Sequence, residues 1–388
     1  MNCTKILVNV EMSSAHGRNL MRGFARYSRL HDPIVLILPS QFDYGQDVAS
    51  ALIEHIDRLE IEAIVTRDFD PQIIEALRTI DIPKLYVSHA HSELRPSIQV
   101  DDIQVGRLAA EHFLERGFTR FAYCGLEPYF WSETRRESFM AEVAEAGYAT
   151  DCFQLPKPTE DVSRERYVSL IAEWLKTLKT PNAIFACSDE CAHMVVQACE
   201  ICDLSLPGHI AVLGVQNDEF ICDLSFIPLS SVVVDTEKAG FNAAKKIVEM
   251  VRGGTPFEDI IYCPAKYVET RRSTDILAIE DEHVAKALAY INSNIDQKLS
   301  VDAVAQCAGI SNSLLNYRFQ KYLSASIFEY INKLRIRRMC YLIENTNWTM
   351  LEIALAMGLP DDKHLHRYFR RHTGVTPLKW RKNNSTAD

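Results

Sequence analysis

The sequence lacks the common signatures of catalysis. No Gly-x-Gly occurs in its 388 residues, which excludes the dinucleotide-binding fingerprint. No glycine-rich loop precedes a Lys-Ser or Lys-Thr, so there is no P-loop. Neither His-Glu-x-x-His nor Gly-x-Ser-x-Gly is present. Paired carboxylates such as Asp101 and Asp102 fit a surface loop as well as a site. These absences argue against an enzyme. The 11 cysteines, from Cys3 to Cys340, have no framework spacing and read as buried thiols acting as small hydrophobes. One cluster, Cys187, Cys191, His193, Cys199 and Cys202, contains a Cys-x-x-Cys. No second pair closes it into a metal site, so neither metal nor cofactor is expected. No apolar run is long enough for a membrane span. The start lacks the basic, apolar and cleavage segments of a secretory signal. Both points predict a cytoplasmic protein with no membrane partner.

Charge is unevenly spread. The chain carries a net charge of −10, yet residues 301–388 hold 13 Lys or Arg against 7 Asp or Glu. A basic module attached to an acidic body follows. An acidic body repels nucleic acid, whereas a basic end attracts it.

Residues 5 to about 270 alternate short β-branched runs with helical stretches. The strand candidates are Lys5–Glu11, Ile34–Pro39, Ala63–Arg67, Lys84–Ser88, Arg120–Gly125, Ala183–Ser188, Ile210–Val215, Ser231–Asp235 and Ile260–Tyr262. Amphipathic patterns such as Ala239-Ala243-Ala244-Ile247-Val248-Val251 lie between them. The alternation predicts parallel sheets covered by helices, and the continuous apolar strands fit burial on both faces. So long a stretch exceeds one sheet, so two similar lobes with a cleft are expected. The polar run after Val268 and then Ile276–Asp281 read as a linker. The predicted division is a core over 1–275, a linker over 276–282 and an all-α domain over 283–388.

The all-α part carries a doubled motif. Ser300 can cap a helix showing Val301, Val304, Ala305 and Ala308 on one face, and Gly309 ends it. Ser311 can cap a second helix to about Tyr322, which is helix-turn-helix spacing. The pattern recurs with Thr349 and Glu352 as a capping box, Gly358 at the turn and Asp361 or Asp362 capping a helix to about His372. A helix from Ile327 to about Glu344, roughly 27 Å long, separates the two. That suits two recognition helices about one DNA turn apart. Their outward residues are Asn312, Ser313, Asn316 and Tyr317, with Arg318 nearby, and Asp362, Lys363, His366 and Arg367, with Arg370 and Arg371 beyond. Asn suits adenine and Arg suits guanine in the major groove.

In open parallel sheets, ligands sit beyond the carboxyl ends of the strands. Candidates there are Arg18 in the run Glu11–Arg18, Trp131 and Arg135 after Tyr129 and Phe130, Asp189, and Gln216 and Asn217 before Asp218. Amides, carboxylates, an Arg fork and an aromatic face suit a polyhydroxylated ligand. Trp131 also fits a core position, and Asp189 a helix N-cap.

The run Gly309-Ile-Ser, Arg318-Phe319, Ile353-Ala, Gly358-Leu, Phe369, Gly374-Val-Thr-Pro377 and Trp380-Arg381 resembles the AraC/XylS DNA-binding domain over 283–383. That resemblance implies base contacts by the eight outward residues above. Leu365 and His366 stand where an aromatic and a small polar residue are usual. Residues 4–275 resemble the ligand core of LacI/GalR regulators, related to periplasmic sugar-binding proteins. The similarity lies in Arg135-x-x-Ser-Phe139, the strand leading to Asp189, Val212-Leu-Gly-Val and Glu269-Thr-Arg-Arg-Ser-Thr274, with Trp131 eight residues before Phe139. Gln216 stands where that family usually has Asp. The combination is similar to that of bacterial xylose-operon regulators. It implies a sugar effector (D-xylose or a related pentose), a double-stranded DNA operator, RNA polymerase as a partner, a homodimer and activation of catabolic genes. A repressor answering another sugar, or a sugar-modifying enzyme with a helical appendage, are the alternatives.

Overall fold

The computed structural model describes residues 3–38, 54, 56–67, 71–87, 93–157, 163–254, 257, 259–275, 281–297, 299–323, 325–346 and 348–384. It separates into two compact units. One is Met1–His112 with Thr119–Asp275, the other Phe113–Phe118 with Ile276–Asp388.

The first unit holds two six-stranded sheets. The first comprises β1 (Thr4–Asn9), β2 (Ile34–Ile37), β3 (Ala63–Arg67), β4 (Lys84–Val87), β5 (Ser97–Val100) and β11 (Ile260–Cys263), in the order β11-β5-β4-β3-β1-β2. All its pairs are parallel. The second comprises β6 (Phe121–Leu126), β7 (Thr150–Leu155), β8 (Asn182–Ala186), β9 (Ile210–Val215), β10 (Ser230–Val234) and β12 (Ala265–Glu269), in the order β12-β10-β9-β8-β6-β7. Only β12 runs antiparallel, against β10. Intervening helices are α1 (Ala15–Leu30), α2 (Pro71–Arg78), α3 (Asp102–Glu115), α4 (Phe130–Glu145), α5 (Arg164–Leu175), α6 (Asp189–Ile201), α7 (Glu219–Leu224) and α8 (Thr236–Val251). Helices on both faces explain why Ile184 and Phe185, or Ile210 to Leu213, are fully buried in unbroken apolar runs.

Three strands escaped the sequence pattern, for physical reasons. β7 and β12 are edge strands, with polar or half-buried residues in place of a β-branched run. β5 has only four residues and follows Pro96. Pro39 and Ser88, read as strand ends, and residues 276–280 of the linker lie outside the described residues. The polar stretch before that linker is built into the fold. Ser273 Oγ donates to Val212 O at 2.6 Å and accepts from Ser230 N at 2.8 Å, and Ser273 and Thr274 are fully buried.

The chain passes between the sheets after Val100, Val234 and Cys263. Asp101 N donates to Cys263 O at 3.0 Å and Asp235 N to Pro264 O at 2.9 Å, so the three crossings lie side by side as a hinge. The cysteine cluster belongs to the core of this unit. Cys187, Cys191 and Cys199 are buried, and burial pushes the Cys199 thiol up to about 12.

The second unit is helical: α9 (Glu282–Ser293), α10 (Val301–Ala308), α11 (Asn312–Leu323), α12 (Ile327–Asn345), α13 (Met350–Ala356), α14 (Asp362–Thr373) and α15 (Pro377–Asn384). Ser300 caps α10, and Gly309 ends it at φ 74°, where a side chain would be strained. Ser326 with Glu329 and Thr349 with Glu352 form capping boxes. Asp361 rather than Asp362 caps α14, accepting from His364 N at 2.8 Å. Two cores result. Val284, Leu288, Val304, Leu315 and Phe319 close one around the first half of α12. Met339, Ile343, Ile353, Leu365 and Phe369 close the other around its second half. Buried Arg335 fastens the two, donating to Ile295 O at 2.9 Å, to Gln297 O and to Met357 O.

Candidate effector cleft and nucleic-acid interface

A cavity of about 500 Å³ opens at the carboxyl ends of the strands of both sheets. From the first lobe come Glu11, Ser14 and His16 after β1, and Arg67 at the end of β3. The second lobe contributes Tyr129, Phe130, Trp131 and Arg135 after β6, Ser188 and Glu190 after β8, and Gln216 after β9. Asp102 enters from the hinge, at the start of α3.

Arg135 organises the second-lobe wall. Its Nε donates to Asp102 Oδ1 at 2.7 Å and its Nη1 to Cys187 O at 2.5 Å. Its guanidinium carbon lies 4.8 Å from the Trp131 ring centroid, and Trp131 stacks on Tyr129 at 5.6 Å. Asp102 and Arg135 are both almost wholly buried. Burial raises the Asp102 carboxyl to about 6, the guanidinium beside it limiting the rise, so the pair is ionised at neutral pH. Asp102 is therefore no surface-loop residue: it bridges hinge and cavity wall. On the other lobe, Arg67 Nη1 donates to Glu11 Oε2 at 2.7 Å. Each cavity arginine is thus matched by a carboxylate, and Glu190 adds one further acidic group.

Of the six residues singled out from sequence, Trp131, Arg135 and Gln216 line the cavity, and Arg18, Asp189 and Asn217 do not. Arg18 donates from Nη2 to Asp218 Oδ2 at 2.7 Å and from Nη1 to Met12 O at 3.1 Å. Asn217 turns its Oδ1 to Arg271 Nη1 at 2.8 Å. Asp189 points into the lobe, accepting from Ser231 Oγ at 2.6 Å and Asp218 N at 2.8 Å. The N-cap of α6 is Ser188, not Asp189. Arg67, Asp102, Ser188 and Glu190 were missed, although Arg67 and Ser188 each close a strand recognised in the sequence.

In the second unit, α10–α11 and α13–α14 form two helix-turn-helix motifs. Asn312, Ser313 and Tyr317 are exposed on α11, while Leu315 and Phe319 face the core. Asn316 is exposed too, and its Oδ1 accepts from Ile327 N at 3.1 Å, which ties α11 to α12. Arg318 pairs with Asp281 at 2.7 Å, which caps α9, so its charge is spent inside the unit. On α14, Asp362, Lys363 and Arg367 are exposed and His366 is half-buried. Lys363, His366, Arg367, Arg370 and Arg371 surround one open concavity, a concentration of basic groups that suits phosphates and guanine edges.

Residues 110–274 match the family model of a periplasmic binding protein-like domain, and residues 304–383 that of a helix-turn-helix domain. Over 388 residues the chain is 26% identical to the xylose operon regulatory protein of Haemophilus influenzae, covering 98% of each. Against its namesake in Escherichia coli K12 the identity is 27% over 393 residues, covering 98% of this chain and 97% of that one. The structure of the xylose-binding transcription activator xylR is similar at a TM-score of 0.61 and 25% identity, covering 99% of both chains. The chain is a transcription regulator with a helix-turn-helix DNA-binding domain. These relatives are regulators, not enzymes. The periplasmic binding protein-like match falls mainly in the first unit and the helix-turn-helix match in the second. Among the described residues, no helix is long and apolar enough to cross a membrane, and no group of three or more His, Cys, Asp or Glu could hold a metal ion.

Proposed function

We propose that this regulator is a cytoplasmic homodimer that activates genes for the use of D-xylose or a closely related neutral aldopentose. The observation that carries the reading is the charge pairing of the cavity. Arg67 and Arg135 are each neutralised by a carboxylate of the site itself, and Glu190 leaves the lining acidic. A sugar acid or sugar phosphate would bring its anion to a lining in which both arginines are already paired with carboxylates. A neutral polyol instead meets directed donors and acceptors beside the rings of Trp131 and Tyr129. The volume suits a small ligand. Likeness to xylose operon regulatory proteins and to a xylose-binding activator supports the pentose and the direction of control. Activation makes RNA polymerase the expected protein partner. Dimerisation suits paired operator half-sites.

A thermal-shift panel tests the effector. A ligand at 100 times its Kd stabilises by about 2.7 kcal/mol, which raises the Tm of a domain this size by several degrees. D-Xylose is expected to give that shift, while D-xylonate and D-xylulose 5-phosphate give none. A shift with the acids and none with neutral pentoses would refute the charge argument.

The operator is read from α11 and α14. Among the eight residues offered for base contact, Arg367 is expected to contribute most to specificity. Arg367→Ala should cost about 1–3 kcal/mol in operator affinity and relax base choice at one position. Competition titrations against operators varied one base pair at a time measure both effects. An unchanged preference at every position would remove Arg367 from the readout. Asn316→Ala should instead lower stability, because its oxygen serves the α11–α12 junction.

A further inference from the structure

One carboxylate joins the two lobes beside the cavity. Asp218 follows β9 of the second lobe and caps α7, its Oδ1 accepting from Phe220 N at 3.2 Å. Its Oδ2 reaches the first lobe, accepting from Ala15 N at the start of α1 at 3.0 Å and from Arg18 Nη2 at 2.7 Å. Asp218 is only 4% exposed. Its loop cannot easily follow the first lobe. Gln216 and Asn217 hold φ of 99° and 52°, strained values for residues with side chains. They are fixed within the second lobe by Gln216 N on Val232 O (2.9 Å), Asn217 N on Ser231 Oγ (2.9 Å) and Asp218 N on Asp189 Oδ2 (2.8 Å). If the lobes part, Asp218 loses both of its bonds to α1. One of them is an ion pair, and both are hydrogen bonds to a charged acceptor.

We propose that Asp218 is a closure clasp, a positioning residue that sets how readily the cleft closes over its ligand. It is not among the residues that line the cavity. It acts through Ser14, which caps α1, and His16 in its first turn, and through Gln216 on its own loop, which face the cavity from opposite lobes. The inference deepens the sugar reading, but its first test needs no sugar.

Asp218→Asn keeps an oxygen for Phe220 N. It sets an amide N–H₂ against two donors, so it breaks the clasp while preserving the cap. Hydroxyl-radical footprinting of the ligand-free, full-length protein then reports the cleft. His16 and Trp131 should be oxidised several times faster in D218N, while Trp174 and Trp380, outside the cleft, keep their rates. Arg18→Met, which leaves the Ala15 bond, should give a smaller rise, and the double variant no more than D218N alone. R18M carries the test by the same readout if D218N does not fold. Unchanged rates at His16 and Trp131 overturn the clasp whatever sugars do. With D-xylose as probe, the Kd of D218N should rise about tenfold to a hundredfold, the loss of hydrogen bonds to a charged group. Faster oxidation in D218N together with no D-xylose binding by the wild type would support the clasp and sink the pentose reading instead.

Discussion

Arg135→Met is expected to destabilise the first unit by roughly 3–5 kcal/mol and to abolish sugar binding. The size follows from what is left behind. Asp102 keeps its buried position but loses its partner guanidinium, and Cys187 O loses a donor. An unpaired buried carboxylate costs far more than the pair contributes when intact. At about 2–4 °C per kcal/mol for a unit this large, the Tm should fall by about 6 °C or more. The loss should also depend on pH. Asp102 already sits at about 6 with Arg135 beside it, and burial without that neighbour pushes it higher. A carboxyl whose folded pKa exceeds its unfolded one imposes no penalty when protonated, and its cost grows as pH rises toward the folded value. The deficit of R135M should therefore be small at pH 5 and large at pH 7.5. Adding Asp102→Asn removes the buried charge, so R135M/D102N should recover most of the Tm at pH 7.5 but none of the sugar affinity. Scanning calorimetry and titration calorimetry on R135M, D102N and the double variant separate the two roles. A double variant that binds sugar normally would remove Arg135 from the site. A single R135M variant with wild-type Tm would show that the pair is not the buried bridge described.

The strand-end rule located the cavity, but it could not say which of two neighbouring residues faces it. Ser188, Asp189 and Glu190 begin one helix, and the outer two line the cavity while the middle one turns into the lobe. Gln216 and Asn217 diverge because their left-handed φ values swing successive side chains apart. Arg18 stood near the site in sequence, yet its partner Asp218 lies 200 residues on, a distance no local pattern spans. The second unit was legible almost to the residue, because capping boxes and turn glycines act within three or four positions. Asn316 and Arg318 show the limit there too. Both lie on or beside the exposed face of α11, and only their contacts to Ile327 N and Asp281 show that they serve the fold.

Asp189 gives the second large effect, through pH. It is 1% exposed, and burial pushes its carboxyl from 3.8 up to about 8, against the hydrogen bonds from Ser231 Oγ and Asp218 N. The folded pKa is raised, so the folded state holds a proton that the unfolded chain releases. Stability is then full below about pH 4 and is lost as pH rises toward 8. An amide at this position cannot ionise, so the Asp189→Asn variant should lack that slope. Relative to wild type it should gain on the order of 3–5 kcal/mol between pH 4 and pH 8, measured by urea unfolding at both ends. The variant also decides what Asp189 does for the ligand. Its amide keeps an oxygen for Asp218 N and, with the Ser231 hydroxyl turned round, can donate to Ser231 Oγ. If Asp189 holds the Gln216–Asp218 loop in place, D189N should bind sugar as wild type does. Asp189→Leu, which fills the space without hydrogen bonds, should weaken binding by about 1–3 kcal/mol. If Asp189 instead touched the sugar as an ionised acceptor, D189N would lose affinity as severely as D189L. Equal loss in both variants would restore the direct contact that the sequence suggested.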